Sequence, residues 1–153
     1  CRDVLAELPF SNKVFVLEVT GKQLYAALEQ GFAKADNLTG AFPQVSGFRI
    51  CVDQGRPEFD RIVSLQVPTG DGWAEIAAED EYVLVVPDFI YGGGDGYEIP
   101  QDRFASRPAS ELKYLVLDAI LRAQGAGESV GEAVTIENRR IHRLSEPGER
   151  CFN

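Results

Sequence analysis

The sequence contains no methionine, a single histidine, a single tryptophan, three cysteines and no long apolar run. Each shortage removes a class of protein. One histidine, His142, and no CxxC pair leave too few ligands for a zinc site. The same shortage argues against a two-metal hydrolytic centre, which needs several Asp, His and Asn ligands, and against a Ser-His-Asp triad. His142 stands in the basic run Arg139-Arg140-Ile141-His142-Arg143 and is read as an ordinary surface or partly buried side chain. Without a run of about 18 apolar residues, no helix of this sequence spans a bilayer. Positive charge is also scarce: 15 Lys and Arg stand against 24 Asp and Glu, a net charge of −9. That balance argues against binding a nucleic-acid backbone, though a locally positive site for a small anion stays compatible with it. No basic, apolar leader opens the sequence, which starts at Cys1. The chain is therefore expected to be a fragment or processed product, any targeting segment already removed.

What is present fits a soluble globular domain. The 153 residues are 44% hydrophobic and 25% charged, enough to bury one core. Cys51 lies in an apolar strand pattern and is expected to be a buried thiol. Cys1 and Cys151 stand near opposite ends of the chain, and termini often meet, so a disulfide between them is an option in an oxidising compartment.

Periodicity predicts the elements. Arg2 to Leu8 reads as a short helix ending before Pro9. Val14 to Val19 reads as a central strand covered on both faces. Thr20 and Gln23 form a capping box at the start of a helix whose buried face is Leu24, Leu28 and Phe32, with Gly40 a turn beyond it. Phe48, Ile50 and Val52 alternate in a strand, as do Val63, Leu65 and Val67, with turns at Asp53 to Pro57 and Pro68 to Gly72. Tyr82 to Val86 is a third candidate strand, stopped by Pro87. A second helix starts at Ser110, carries Leu112, Leu115, Val116, Ala119 and Ile120 on one stripe, and ends at Gly125 and Gly127. Arg139 to Leu144 closes the pattern as a strand. Short strand-to-strand turns favour antiparallel neighbours. The expected class is α+β, with a mixed, largely antiparallel sheet and two main helices.

Candidate binding chemistry gathers in two segments. In Pro87-Asp88-Phe89-Ile90-Tyr91-Gly92-Gly93-Gly94-Asp95-Gly96-Tyr97, four glycines within five positions are costly to order. They make sense where the backbone needs positive φ or approaches another group closely. Asp95 offers two acceptor oxygens to a diol such as ribose, and Phe89 and Tyr97 offer flat faces to a base. The competing reading is a tight turn, with Asp95 bonded to its own backbone and Phe89 in the core. The stretch lacks the Lys-Ser/Thr ending of a P-loop and the spacing of a dinucleotide fingerprint. In Thr39-Gly40-Ala41-Phe42-Pro43-Gln44-Val45-Ser46-Gly47, Phe42 is either a core plug or a stacking platform.

Four patches in order resemble the C-terminal domain of the 5′-nucleotidase / UDP-sugar hydrolase family. They are Leu-Ala-Glu-Leu-Pro-Phe at 5–10, Val-Leu-Glu-Val-Thr-Gly-Lys-Gln-Leu-Tyr-Ala-Ala-Leu at 16–28, Phe-Pro-Gln-Val-Ser-Gly at 42–47, and the Phe89 to Tyr97 motif. Together they cover roughly residues 2 to 100, with an echo at Arg140-Ile141.

The resemblance implies a single substrate-binding domain over 1–153. It implies that Phe42 and Phe89 clamp the base, with Asp95 on the ribose and Gly93 and Gly94 in the same site. The partners it implies are a nucleotide or nucleotide sugar and an N-terminal metallophosphoesterase domain that holds two divalent metal ions. No cofactor is expected in this chain, which alone is expected to be inactive. It further implies a periplasmic, cell-surface or extracellular location. Two departures stand out. The chain starts after the family's opening strand and its Asn-Gly-Gly-Ile-Arg-type turn, and Asp88 stands where the family often has Asn. The alternatives are a stand-alone nucleoside-binding module, or an interaction domain in which both rings are core.

Overall fold

The computed structural model describes residues 2–33, 40–101, 103–106, 110–128, 139–144 and 150–152; Cys1 and Thr39, named above, lie outside them. Their strands divide between two sheets. In the first, β1 (Val14–Thr20) lies between β5 (Glu81–Pro87) and β6 (Phe104–Ser106), antiparallel to both. In the second, the order is β4 (Gly72–Glu75), β3 (Ile62–Thr69), β2 (Arg49–Asp53), β7 (Ile141–Leu144). The short connections give antiparallel pairs as expected, whereas β7 runs parallel to β2 after a long connection.

One helix joins the sheets. Thr20 ends β1 and caps α2 (Gly21–Ala33): its backbone N–H donates to Gln23 Oε1 at 2.8 Å, and the Gln23 N–H donates to Thr20 Oγ1 at 3.3 Å. That is the reciprocal capping box read from the sequence. The helix buries Leu24, Leu28 and Phe32 against Leu17 and Val19 of β1, Ile50 and Val52 of β2, and Ile62 and Leu65 of β3. Glu29 is buried on the same helix, and its carboxylate accepts the backbone N–H groups of Arg61 (3.0 Å) and Ile62 (2.8 Å) where β3 starts. A buried carboxyl group is tolerated there because both its oxygens accept backbone donors.

Several expectations need correction. β1 is central by pairing but covered on one face only: Leu17 and Val19 are buried while Glu18 between them is exposed. Val63 does not share the inward face with Leu65. Cys51 pairs with Ser64 and Val52 with Ile62, so Val63 is the extra residue of a bulge and is 44% exposed. The exposed strand β4 and the short β6 carry too little alternation to be read from sequence. The second helix, α4 (Leu112–Gly125), forms on a half-buried stripe and leaves Leu115 exposed; it packs against α1 (Arg2–Glu7).

The cysteine readings change most. Cys51 is fully buried but is no free thiol: it is bonded to Cys151, with Cα atoms 5.3 Å apart, so Cys151 cannot pair with Cys1. The physical cause is the parallel β2–β7 pairing, which sets Cys51 opposite His142 and so places β2 next to the strand that precedes Cys151 in the chain.

Candidate nucleoside site

The glycine-rich stretch is held at its entry by Asp88. The Asp88 N–H donates to the Lys13 carbonyl at 2.8 Å, and its carboxylate accepts Asn12 Nδ2 at 2.7 Å and the Phe89 N–H at 2.9 Å. The Asn12 hydrogen bond lowers its pKa below the usual carboxylate value, as do the backbone donors. An acceptor at this position thus fixes the first turn of α3 (Asp88–Tyr91). Tyr91 then stacks on Phe15 of β1, ring centroids 4.3 Å apart, and donates its hydroxyl to the Gln101 carbonyl at 2.8 Å.

Beyond α3 the backbone enters the left-handed region three times, at Gly93 (φ 88°), Asp95 (φ 56°) and Gly96 (φ 84°). Glycine adopts this at no steric cost, and Asp is among the few other residues that tolerate it. Gly94 has a different reason to be glycine. A Cβ there would lie 2.6 Å from Cε1 and Cζ of Phe89 and from its carbonyl oxygen, so the Phe89 ring rests against this backbone. Phe89 is 52% exposed, and Asp95 is exposed. The competing reading of Phe89 as a core residue is therefore not met.

Tyr97 departs from its sequence reading. It is 8% exposed and its hydroxyl donates to the Ala41 carbonyl at 2.8 Å, so it is a buried brace rather than an exposed platform for a base. It braces the glycine-rich loop to the 40–48 segment, and Gly31 of α2 leaves room for its hydroxyl. Burial, and after it the Asp95 carboxylate, push the Tyr97 phenol up to about 12.

Phe42 follows Ala41 directly. Its ring meets the buried Phe32 at 5.3 Å and 81°, and the Arg143 guanidinium of β7 lies over it, 4.3 Å from the centroid. Phe42 is half-buried, so it is neither a sealed core plug nor a bare platform. It also lines an apolar cavity of about 750 Å³ between the sheets, whose walls include Phe48, Leu84, Val86, Ile90 and Tyr97. Phe89, Gly93, Gly94 and Asp95 are not among its lining residues, so the predicted site residues gather on the loop beside the cavity and only Phe42 faces into it. Arg143 was missed by sequence reasoning; the only signal was its place in the basic run at 139–143.

His142 packs edge-on against Phe152 at 4.7 Å, and its Nε2 lies 3.2 Å from the Arg139 carbonyl. Burial, with the nearby Arg139 charge, lowers its pKa. Among the described residues no group of three or more His, Cys, Asp or Glu is placed to hold a metal ion.

An α+β domain with two sheets bridged by one helix, and an aromatic segment braced to a glycine-rich loop, defines a class that comparison with known proteins narrows. A family model described as "5′-nucleotidase, C-terminal domain" matches residues 1–102, and the chain belongs to that family. The trifunctional nucleotide phosphoesterase YfkN of Bacillus subtilis is 37% identical over 99 residues, 63% of this chain and 7% of that protein. The snake venom 5′-nucleotidase of Gloydius brevicauda is 28% identical over 130 residues, 80% of this chain and 22% of that protein. The solved 5′-nucleotidase precursor of Thermus thermophilus superposes with a TM-score of 0.74 at 31% identity, covering 94% of this chain and 27% of that chain. The chain thus spans between 7% and 27% of the length of these relatives, and its fold is that of a 5′-nucleotidase C-terminal domain.

Proposed function

We propose that this domain is the substrate-specificity part of a metal-dependent 5′-nucleotidase-type phosphohydrolase. It binds the nucleoside portion of nucleotides or nucleotide sugars: Phe42 and Phe89 stack on the base, Asp95 accepts the ribose hydroxyls, and the backbone at Gly93 and Gly94 shapes the loop that carries them. The observation that carries this reading is the Tyr97–Ala41 hydrogen bond, which ties the loop bearing Phe89 and Asp95 to the residue preceding Phe42. Two loop segments joined this way are pre-ordered, which lowers the entropic cost of binding. Stacking contributes on the order of 1–3 kcal/mol per base and tolerates different bases, and a carboxylate on a diol adds orientation.

In this account hydrolysis belongs to an N-terminal metallophosphoesterase domain with two divalent ions, and the chain at 1–153 is the single C-terminal domain of that protein. A periplasmic, cell-surface or extracellular setting is supported by the Cys51–Cys151 disulfide, since such bonds persist in oxidising compartments. No helix among the described residues is long and apolar enough to cross a membrane. A second reading, in which both rings serve packing alone, draws on the contact of Phe42 with Phe32; the exposure of Phe89 counts against it.

Calorimetric titration with adenosine, AMP and UDP-glucose tests the proposal. Binding is expected, and it should weaken in Phe42→Ala, Phe89→Ala and Asp95→Ala. Equal affinity in all three variants and the unmodified chain would sink it.

A further inference from the structure

Arg143 stands where a base would stack. Its guanidinium lies 4.3 Å from the centroid of Phe42, a distance at which a planar cation covers the ring face as a base would. Phe32 supports the same ring from the core. Among the described residues Arg143 forms no ion pair with a carboxylate, so the aromatic contact is its main anchor, and its side chain is exposed. A second guanidinium stands close by. Arg140, on the same terminal run, donates Nη1 to the Val45 carbonyl at 3.3 Å, which sets a second guanidinium beside the 40–48 segment. On a protein of net charge −9, these two guanidiniums place positive charge beside Phe42 and the 40–48 segment.

We propose, on the basis of the nucleoside reading above, that Arg143 is a displaceable cap on Phe42 that favours phosphorylated ligands over neutral ones. A base that stacks on Phe42 must lift the guanidinium from the ring face. A neutral nucleoside then loses the cation–π contact and gains nothing for it. A nucleotide brings an anionic phosphate, to which the released and still nearby guanidinium is attracted; Arg is well suited to this because its fork of donors matches phosphate oxygens. Arg143 is thus a specificity-determining residue. It lowers affinity for the hydrolysed product's neutral nucleoside relative to the charged nucleotide.

The test is calorimetry of adenosine and AMP with the unmodified chain, Arg143→Ala, Arg143→Lys and Phe42→Ala at low ionic strength. An exposed cation–π contact corresponds to about a two- to five-fold change in affinity. Arg143→Ala is expected to bind adenosine about two- to five-fold more tightly and to lose part of the preference for AMP. Arg143→Lys, which keeps charge but not the planar stack, should retain more of that preference. Adenosine affinity that is unchanged or weaker in Arg143→Ala overturns the cap. Equal tightening of both ligands overturns the charge preference. If Phe42→Ala weakens adenosine while Arg143→Ala has no effect, the nucleoside site stands and this inference falls. If Phe42→Ala is also without effect, or nothing binds, both fall together.

Discussion

At the scale of single residues, Tyr97 links loop geometry to a measurable energy. Replacing it with Phe removes the donor to the Ala41 carbonyl and leaves that buried acceptor unpaired, an expected cost of about 1–2 kcal/mol in urea denaturation. The phenol also gives a pH signature. Its pKa is about 12 in the folded chain against an ordinary value of 10.0. Folding favours the neutral form, so this contribution is complete below about pH 10 and is lost as the pH climbs toward 12. The stability gap between the unmodified chain and Tyr97→Phe should be flat at lower pH and shrink over that window. A gap that widens there would contradict the assignment. Gly94 gives a second residue-scale expectation. Gly94→Ala forces Cβ against the Phe89 ring and carbonyl, so it should cost about 1–3 kcal/mol and displace the ring. Unchanged unfolding midpoint and unchanged ligand affinity together would show that Phe89 does not rest there.

At the scale of elements, the second sheet depends on its closure by the disulfide and the tail. Arg49 of β2 lies 4.8 Å from the ring of Trp73 on β4 and 4.2 Å from Phe152 on the tail beside Cys151. Cys151→Ser opens a loop of sequence separation 100, for which the loss is about 2–5 kcal/mol. Because Trp73 is the only tryptophan and shares the Arg49 guanidinium with Phe152, its fluorescence reports the release of Phe152 through Arg49. Identical emission and identical urea midpoints with and without reductant would contradict the latch.

The same elements show what could be read in advance. Local signals were legible: the Thr20–Gln23 capping box, the Leu24–Leu28–Phe32 face and the turn residues each act within a few positions of the chain. Long-range partners were not. The pairing of Cys51 with Cys151 depends on β7 running parallel to β2, which no spacing encodes, and the bulge at Val63 appears only in the register between two strands. In the candidate site, the glycine-rich loop and Phe42 stood out by composition. Arg143 and the brace role of Tyr97 did not, because both depend on contacts between segments far apart in the chain.

At the scale of the whole molecule, the main consequence of the proposed function is a division of labour. If hydrolysis belongs to a separate domain, as proposed, the purified chain is expected to release no phosphate from AMP with or without added divalent ions. Steady metal-dependent turnover, confirmed across independent preparations, would show that the chemistry does not reside in a separate domain. What the chain is expected to retain is recognition. The most direct measurement is amide chemical-shift mapping of the isotope-labelled chain during titration with AMP. The account predicts saturable shifts at Phe42 and from Phe89 through Asp95, with Tyr97 following as the brace between them. Shifts absent from both segments, or confined to apolar cavity walls such as Leu84 and Val86, would contradict a nucleoside site built from Phe42, Phe89 and Asp95.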